Sequence, residues 1–126
     1  MDKLKALKIF FGYDSFRPGQ EELIDSILSG RDTLGIMPTG GGKSVCFQVP
    51  ALLFPGVTIV VSPLISLMKD QVSALLQNSV PAVYINSTMT PHELKYTRND
   101  ILRGRYKIIY VAPERLLSKS FLEVSD

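Results

Sequence analysis

Short apolar runs that alternate with helical stretches constrain the fold of this 126-residue chain most strongly. The predicted strands are Thr33–Met37, Val57–Val61, Ala82–Ile85 and Lys107–Ala112. Strands that alternate with helices of ten or more residues form βαβ units and a parallel sheet. We therefore expect an α/β fold. Because Val57–Val61 is β-branched with no polar face, we expect this strand to be buried on both sides.

Helices are predicted before, between and after these strands. They run from Leu4 to a stop at Gly12, from Pro18 to Gly30, from Ser44 to about Phe54, from Leu64 to Leu76, from Thr90 to about Arg103, and from Pro113 onward. Pro18 suits the first turn of its helix because the missing N–H costs nothing there. The segment Thr90-Pro91-His92-Glu93 has the sequence of a capping box. No repeat or linker interrupts the pattern, which favours one α/β unit.

Composition excludes several classes of protein. The hydrophobic fraction of 45% and the charged fraction of 21% are ordinary for a folded chain, and the net charge of +2 gives no argument for any partner. The single cysteine, Cys46, excludes an internal disulfide and a cysteine zinc site, and the single histidine, His92, excludes a histidine-rich metal site. We expect Cys46 and Met68 in the core and His92 exposed. Every apolar run is far shorter than the ~20 residues of a membrane helix, so we expect a soluble protein without a membrane partner.

A glycine-rich loop follows the first predicted strand. Met37–Ser44 reads Met-Pro-Thr-Gly-Gly-Gly-Lys-Ser, which matches the pattern G-x-x-x-x-G-K-[ST] except that Met37 replaces the first glycine. Backbone N–H groups of such a loop and the positive end of the next helix converge on phosphates. A chance Lys-Ser in a flexible loop is the alternative, but the strand before the loop and the helix after it favour nucleotide binding. The expected ligands of ATP are Thr39, Gly40, Gly41, Gly42, Lys43 and Ser44, with Lys43 bridging the β and γ phosphates as the catalytic cation and the Ser44 hydroxyl on Mg²⁺.

Four further segments, taken with this loop, resemble the first motor domain of RecQ-family DNA helicases. They are Phe16–Glu22, Val61–Gln71, Asn86–Thr88 and Val111–Leu117. The resemblance covers essentially the whole chain in order, and Phe-Arg-Pro-Gly-Gln and Pro-Leu-Ile-Ser-Leu-Met-Lys-Asp-Gln are its specific parts. It implies that residues 1–126 are the N-terminal part of a helicase ATP-binding domain: a P-loop NTPase of the RecA-like kind, with a parallel sheet flanked by helices. The family is similar at Met37.

The resemblance also implies roles for residues outside the loop. Gln20 would read the adenine edge, since a side-chain amide donates and accepts in one plane, while Tyr13 and Arg17 would flank the base. Segments at the carboxyl ends of the strands would contact the DNA backbone. The expected DNA contacts are Ser62, Asn86, Ser87, Thr88 and Arg115. Expected partners are ATP, single-stranded or forked DNA and the remainder of the motor, in the cytoplasm or at the nucleoid.

Hydrolysis of ATP in this family needs an apolar strand ending in Asp-Glu, and none of the four predicted strands is followed by such a pair. We expect the chain to be truncated before the Asp-Glu-x-His strand, so that it is catalytically incomplete by itself. In sheets of this class the missing strands would lie between the strand Thr33–Met37 and the strand Val57–Val61, which would leave a gap in the middle of the sheet. We therefore expect low stability or aggregation of the isolated chain. Two alternatives stay open: a fragment of a DEAD-box RNA helicase, or a nucleotide-binding module that does not hydrolyse its ligand.

Overall fold

The computed structural model describes residues 1–35, 43–85 and 89–113. The chain divides into two compact units, Met1–Gly56 and Val57–Asp126. Of the helices in the described ranges, none is both long and apolar enough to span a bilayer. The predicted helix from Pro113 onward lies outside the described residues apart from Pro113 itself.

The first unit is built from helices that pack around one apolar cluster. They are α1 (Lys3–Ala6), which continues into a π-helical turn (Leu7–Phe11), α2 (Gln20–Leu28) and α3 (Lys43–Leu53). The buried residues of the cluster are Ala6, Leu7, Ile24, Val45 and Val49, and partly buried phenylalanines surround them. The predicted stop at Gly12 is confirmed, since Gly12 takes a positive φ of 74° that ends the helical turn. This packing places the start of α3 against α2.

Two predictions for the first unit are wrong. Pro18 lies in a turn rather than in a helix, because Gly19 adopts a φ of +86° and α2 begins only at Gln20. The strand predicted at Thr33–Met37 is described only over Thr33, Leu34 and Gly35. These three residues are not in a strand, and Leu34 is 87% exposed. An apolar run forms a strand only beside a partner that satisfies its backbone N–H and C=O groups. Within the described residues these three pair with no strand; residues 36 and 37 lie outside them.

The second unit contains a parallel sheet of three strands, which confirms the predicted fold class. The strands are β1 (Thr58–Val61), β2 (Ala82–Ile85) and β3 (Ile108–Val111). Their order is β1-β3-β2, so the last of these three strands in sequence occupies the centre. All four residues of β3 are buried, as a central strand requires. Val61, Val111 and Ile85 share one register position, so the strands end together at one edge of the sheet.

The expectation that Val57–Val61 is buried on both sides is wrong. In the described part of the chain β1 pairs only with β3, which makes it an edge strand. Its residues alternate between half-buried and exposed, with Ile59 40% and Val61 47% exposed. The β-branched composition correctly indicated a strand, but a side chain on an edge strand is covered only where another element packs over it.

Helices α4 (Ile65–Gln77) and α5 (Pro91–Leu102) connect the strands. Helix α4 packs against β2, and a bond from the Tyr110 hydroxyl to Oε1 of Gln71, 2.6 Å long, ties this helix to the central strand. The capping box of α5 is confirmed: Thr90 Oγ1 accepts from the Glu93 N–H at 3.1 Å, and Glu93 Oε1 accepts from the Thr90 N–H at 3.3 Å. Cys46 and Met68 are buried and His92 is exposed, as expected.

Candidate functional site

The N-terminus of α3 carries the first two candidate ligands. Within the described residues helix α3 runs from Lys43, so Lys43 and Ser44 lie at its N-terminal end. The Lys43 side chain is exposed and Ser44 is half-buried, whereas the next residues, Val45 and Cys46, are buried. The first turn of a helix has backbone N–H groups without intrahelical acceptors and a partial positive charge. Together with the Lys43 ammonium and the Ser44 hydroxyl, this turn has the chemistry to bind an anion and its counter-cation.

A cavity of about 240 Å³ lies beside this turn, entirely within the first unit. It is lined by Leu23, Ile27, Thr33, Gly35, Lys43, Cys46 and Phe47. Gly35 lies so close to α2 that a Cβ there would be 2.7 Å from both terminal carbons of Leu23. This close approach gives Gly35 a packing reason to be glycine. Burial raises the pKa of the Cys46 thiol, which disfavours a reactive thiolate in this cavity.

Gln20 is buried rather than exposed on its helix, with only 3% of its surface accessible. Its side-chain Oε1 accepts a hydrogen bond from the Arg17 backbone N–H at 2.7 Å. The Gln20 backbone N–H in turn donates to the Arg17 carbonyl oxygen at 3.1 Å. The structure therefore brings Gln20 and Arg17 together in a turn at the start of α2, and the Gln20 side chain is hydrogen-bonded to the backbone that presents Arg17.

The surface around this turn is open. The Tyr13 and Arg17 side chains are both exposed, so both are accessible to a ligand. A shallow cavity of about 400 Å³ adjoins Arg17. Its lining residues are Phe16, Arg17, Pro18, Gly19, Glu21, Glu22 and Asp25.

Lys3 forms ion pairs with two carboxylates of α2, and the sequence did not predict these contacts. Lys3 Nζ lies 2.8 Å from a Glu21 carboxylate oxygen and 2.6 Å from one of Asp25. The hydrogen bonds to Asp25 and then to Glu21 raise the pKa of the Lys3 ammonium. Lys3 thus fastens α1 to α2 along the edge of the cavity beside Arg17. A lysine near the N-terminus of an amphipathic helix gives no signal of such a partner, since its acidic neighbours are distant in sequence.

Ser62 is the one DNA candidate within the described residues, and it lies in the second unit directly after β1. Its backbone N–H extends the sheet by donating to the Val111 carbonyl at 3.0 Å. Its Oγ accepts from the Leu64 N–H at 3.2 Å, in the turn that leads into α4. Ser62 is therefore held at the carboxyl edge of the sheet, half-buried. The other predicted ligands of ATP and DNA lie outside the described residues: Thr39, Gly40, Gly41, Gly42, Asn86, Ser87, Thr88 and Arg115.

Comparison with known proteins identifies the family. A family model described as DEAD/DEAH box helicase matches residues 17–125. A relative named "ATP-dependent DNA helicase RecQ" from Pasteurella multocida is 52% identical over 121 residues, which are 96% of this chain and 19% of the relative. The protein of that name from Bacillus subtilis is 53% identical over 116 residues, 91% of this chain and 20% of the relative.

The likeness extends to plants. An Arabidopsis thaliana protein named "ATP-dependent DNA helicase Q-like 5" is 44% identical over 120 residues, 95% of this chain and 13% of the relative. The chain thus spans about a fifth of the length of the bacterial relatives, or less in the plant one. The matched region includes Arg17, Gln20, Lys43, Ser44 and Ser62. The chain belongs to the DEAD/DEAH box helicase family, in its RecQ group.

Proposed function

We propose that this chain binds ATP together with Mg²⁺ and forms part of an ATP-dependent DNA helicase motor that moves 3′ to 5′. The observation that carries the proposal is the first turn of α3, where an exposed Lys43 precedes a half-buried Ser44. An ammonium, a hydroxyl and the N–H groups of a helix N-terminus are the donors that a triphosphate and its magnesium need. The relatives whose names state ATP dependence and DNA unwinding support this assignment.

In this proposal Lys43 binds the β and γ phosphates and Ser44 is a ligand of Mg²⁺. The metal, when bound, would neutralise phosphate charge and orient the triphosphate. Thr39, Gly40, Gly41 and Gly42 complete the loop around the phosphates. The donor set fits a magnesium ion that takes most of its ligands from phosphate and water, because Mg²⁺ prefers oxygen ligands and keeps several waters. In the described ranges no group of three or more His, Cys, Asp and Glu side chains could hold a metal alone.

The adenine base is assigned to the turn at the start of α2. Gln20 would hydrogen-bond the base edge, and the exposed Tyr13 and Arg17 would flank it. The hydrogen bond from the Arg17 N–H to the Gln20 side chain supports this assignment. Because that bond already restricts the Gln20 side chain, the side chain would lose less conformational entropy on binding the base. The same bond couples the two residues, so that a change at Gln20 also affects the backbone of Arg17.

DNA is assigned to the carboxyl edge of the sheet, where ligands of open α/β sheets bind. Ser62 would donate its hydroxyl to a phosphate, and Asn86, Ser87, Thr88 and Arg115 would act with it. Such contacts position a strand without reading its sequence. The remainder of the motor is the further partner, at the nucleoid or in the cytoplasm.

The chain by itself is proposed to hold ATP without hydrolysing it. The support is chemical: the residues that follow β1, β2 and β3 are Ser62, Asn86 and Ala112, and none of them is a carboxylate that could hold a metal or orient water. A nucleotide-binding module that never hydrolyses its ligand is the second candidate, and the same observation favours it. An RNA helicase is disfavoured because the relatives carry the names of DNA helicases.

Calorimetric titration of the purified chain with Mg-ATP tests the proposal. We expect saturable binding, and we expect Lys43→Ala to abolish it because the ammonium is the principal cation for the phosphates. Lys69→Ala is the matched control, since Lys69 is an exposed helical lysine in α4. Equal binding by both variants would overturn the assignment of the phosphates to Lys43.

A further inference from the structure

We propose that the exposed face of helix α5 is a second contact surface for single-stranded DNA, separate from the sheet edge that holds Ser62. This face is formed by His92, Lys95, Tyr96, Asn99, Leu102 and Arg103, all of them exposed. The inference rests on the proposed function, in that it assumes that the chain handles DNA. It adds a surface that the strand-end segments do not include.

Positive charge is concentrated around this helix. Five of the 14 basic residues of the chain fall between Pro91 and Lys107, against two of the 12 acidic residues. The rest of the chain therefore carries a small net negative charge. One of the two acids, Asp100, lies 3.4 Å from Arg105 and so partly neutralises that cation. Arg103 caps the C-terminus of α5 and lies eight residues after Lys95, which separates the two by about 12 Å along the helix axis and about 80° around it. This spacing lets the two cations contact different phosphates of one strand.

An aromatic ring is exposed next to Lys95 on the same helix. Tyr96 is 64% exposed, which is unusual for a large aromatic side chain that could be buried. The His92 ring meets the Tyr96 ring nearly perpendicularly, at 85° with centroids 4.8 Å apart, so it restricts the ring without covering it. Exposed aromatic side chains near cations are the platforms on which bases of single strands stack. Leu102, 62% exposed, extends the apolar part of the same face.

The helix that presents these side chains is well fixed. The capping box at Thr90 and Glu93 anchors its first turn, and the buried Leu94 holds its opposite face against the core cluster that includes Ile85, Ile109 and Val111. The side chains are thus presented in a constant arrangement, which lowers the entropic cost of binding.

Charge complementarity also fits an acidic peptide, but the exposed ring favours the nucleic acid. A run of carboxylates would pair with Lys95 and Arg103 and would gain little from Tyr96. A single strand of DNA uses both features, since phosphates meet the cations and a base stacks on the ring. Duplex DNA would leave the ring unused, because its bases are already stacked.

Fluorescence anisotropy with labelled oligothymidylate tests the surface, using the chain without nucleotide. The variant Lys95→Glu/Arg103→Glu is compared with Lys5→Glu/Lys8→Glu, which changes the net charge equally at two exposed helical lysines. We expect about tenfold weaker binding for the α5 variant. We also expect the slope of log affinity against log salt concentration to be smaller by about 1.4, since each lost phosphate contact removes ~0.7 from that slope for a single strand.

Tyr96→Ala should weaken binding about tenfold without changing this slope, because it removes stacking alone.

Circular dichroism establishes that each variant retains its helices, and Lys95→Gln/Arg103→Gln provides a second, milder test of the same contacts. Equal affinity of the α5 variants and the Lys5/Lys8 control would overturn the surface while leaving nucleotide binding at Lys43 intact. Tighter binding of polyglutamate than of oligothymidylate to the α5 face would overturn it in favour of an acidic peptide. Failure of the unmodified chain to bind oligothymidylate would overturn both this surface and the assignment of DNA to the sheet edge.

Discussion

Gln20 and Arg17 form a reciprocal pair: the Gln20 side-chain oxygen accepts from the Arg17 N–H at 2.7 Å, and the Gln20 N–H donates to the Arg17 carbonyl at 3.1 Å. The pair closes the turn around Pro18 and Gly19 in which Gly19 has a positive φ. A glutamine that is assigned to the base of the nucleotide is thus also part of the local fold. Binding and stability should therefore both respond to changes at this position.

Replacing Gln20 should separate these two contributions. Gln20→Ala leaves the Arg17 N–H without its acceptor, and we expect a loss of about 1–3 kcal/mol in the free energy of unfolding together with weaker ATP binding. Gln20→Glu keeps an acceptor for that N–H but loses the amide donor and places a carboxylate in a buried position. Urea unfolding and ATP titration measure both quantities, with the exposed Glu22→Gln as control. Loss of stability with unchanged preference for ATP over GTP would mean that Gln20 serves the fold only.

Gly35 should tolerate a side chain only if the Leu23 side chain moves. The Cβ of Gly35→Ala would lie 2.7 Å from both terminal carbons of Leu23, and we expect a loss of about 1 kcal/mol as Leu23 moves aside. Gly56→Ala is the matched control, because a Cβ there meets no atom within 4 Å. Leu23→Ala in the same chain should relieve the clash. Equal urea midpoints for Gly35→Ala and Gly56→Ala would contradict the packing described for this cavity.

The exposed face of β1 should promote association of the isolated chain. Ile59 is 40% exposed on the edge strand, whereas its register partner Ile109 on β3 is only 2% exposed. We expect Ile59→Lys to reduce aggregation at little cost in stability, since a lysine blocks pairing of edge strands. Ile109→Lys should unfold the chain because it buries a charge. Light scattering and thermal unfolding measure the two effects. Unchanged scattering by Ile59→Lys would exclude this face as the source of association.

Stability should fall at alkaline pH. Burial raises the pKa of Cys46 above its ordinary 9.0 and that of Tyr106 above 10.0, while the bonds to Asp25 and Glu21 raise the pKa of Lys3 above 10.5. The unfolded chain therefore loses these protons first, so the native state holds more protons and the free energy of unfolding decreases as pH rises. The stabilisation is complete below about pH 9 and is lost as pH rises through the native pKa values.

Urea unfolding at a series of pH values from neutral to alkaline measures this decline in the free energy of unfolding. Cys46→Ala should delay the onset of the decline, and an unchanged onset would contradict the part assigned to Cys46.

The sequence predicted best those elements whose signals are local. The capping box at Thr90 and Glu93, the helical stop at Gly12 and the strand runs of the second unit all depend on neighbouring residues, and the structure has each of them. Prediction was wrong where burial depends on distant partners. Val61 was expected to be buried and is exposed, and Thr33 was expected in a strand and is not. Both predictions failed because β-branched composition does not reveal which strand lies alongside.

For the site, the motif located Lys43 and Ser44, and the structure shows that Lys43 is exposed and Ser44 half-buried. No sequence pattern predicts that Gln20 closes the turn with Arg17, because the hydrogen-bond partner of its side chain is a backbone N–H. Lys3 was likewise not predicted, because its contacts with Glu21 and Asp25 join elements that are far apart in sequence.

The central claim is that Mg-ATP binds at the first turn of α3, and the most direct test is a two-dimensional ¹H–¹⁵N NMR spectrum of the chain recorded during titration. We expect the largest shifts at the amides of Lys43 and Ser44, with further shifts at Arg17 and Gln20 and none on α5. These shifts should disappear in Lys43→Ala. Saturable binding with unshifted Lys43 and Ser44 amides would place the nucleotide elsewhere and contradict the account.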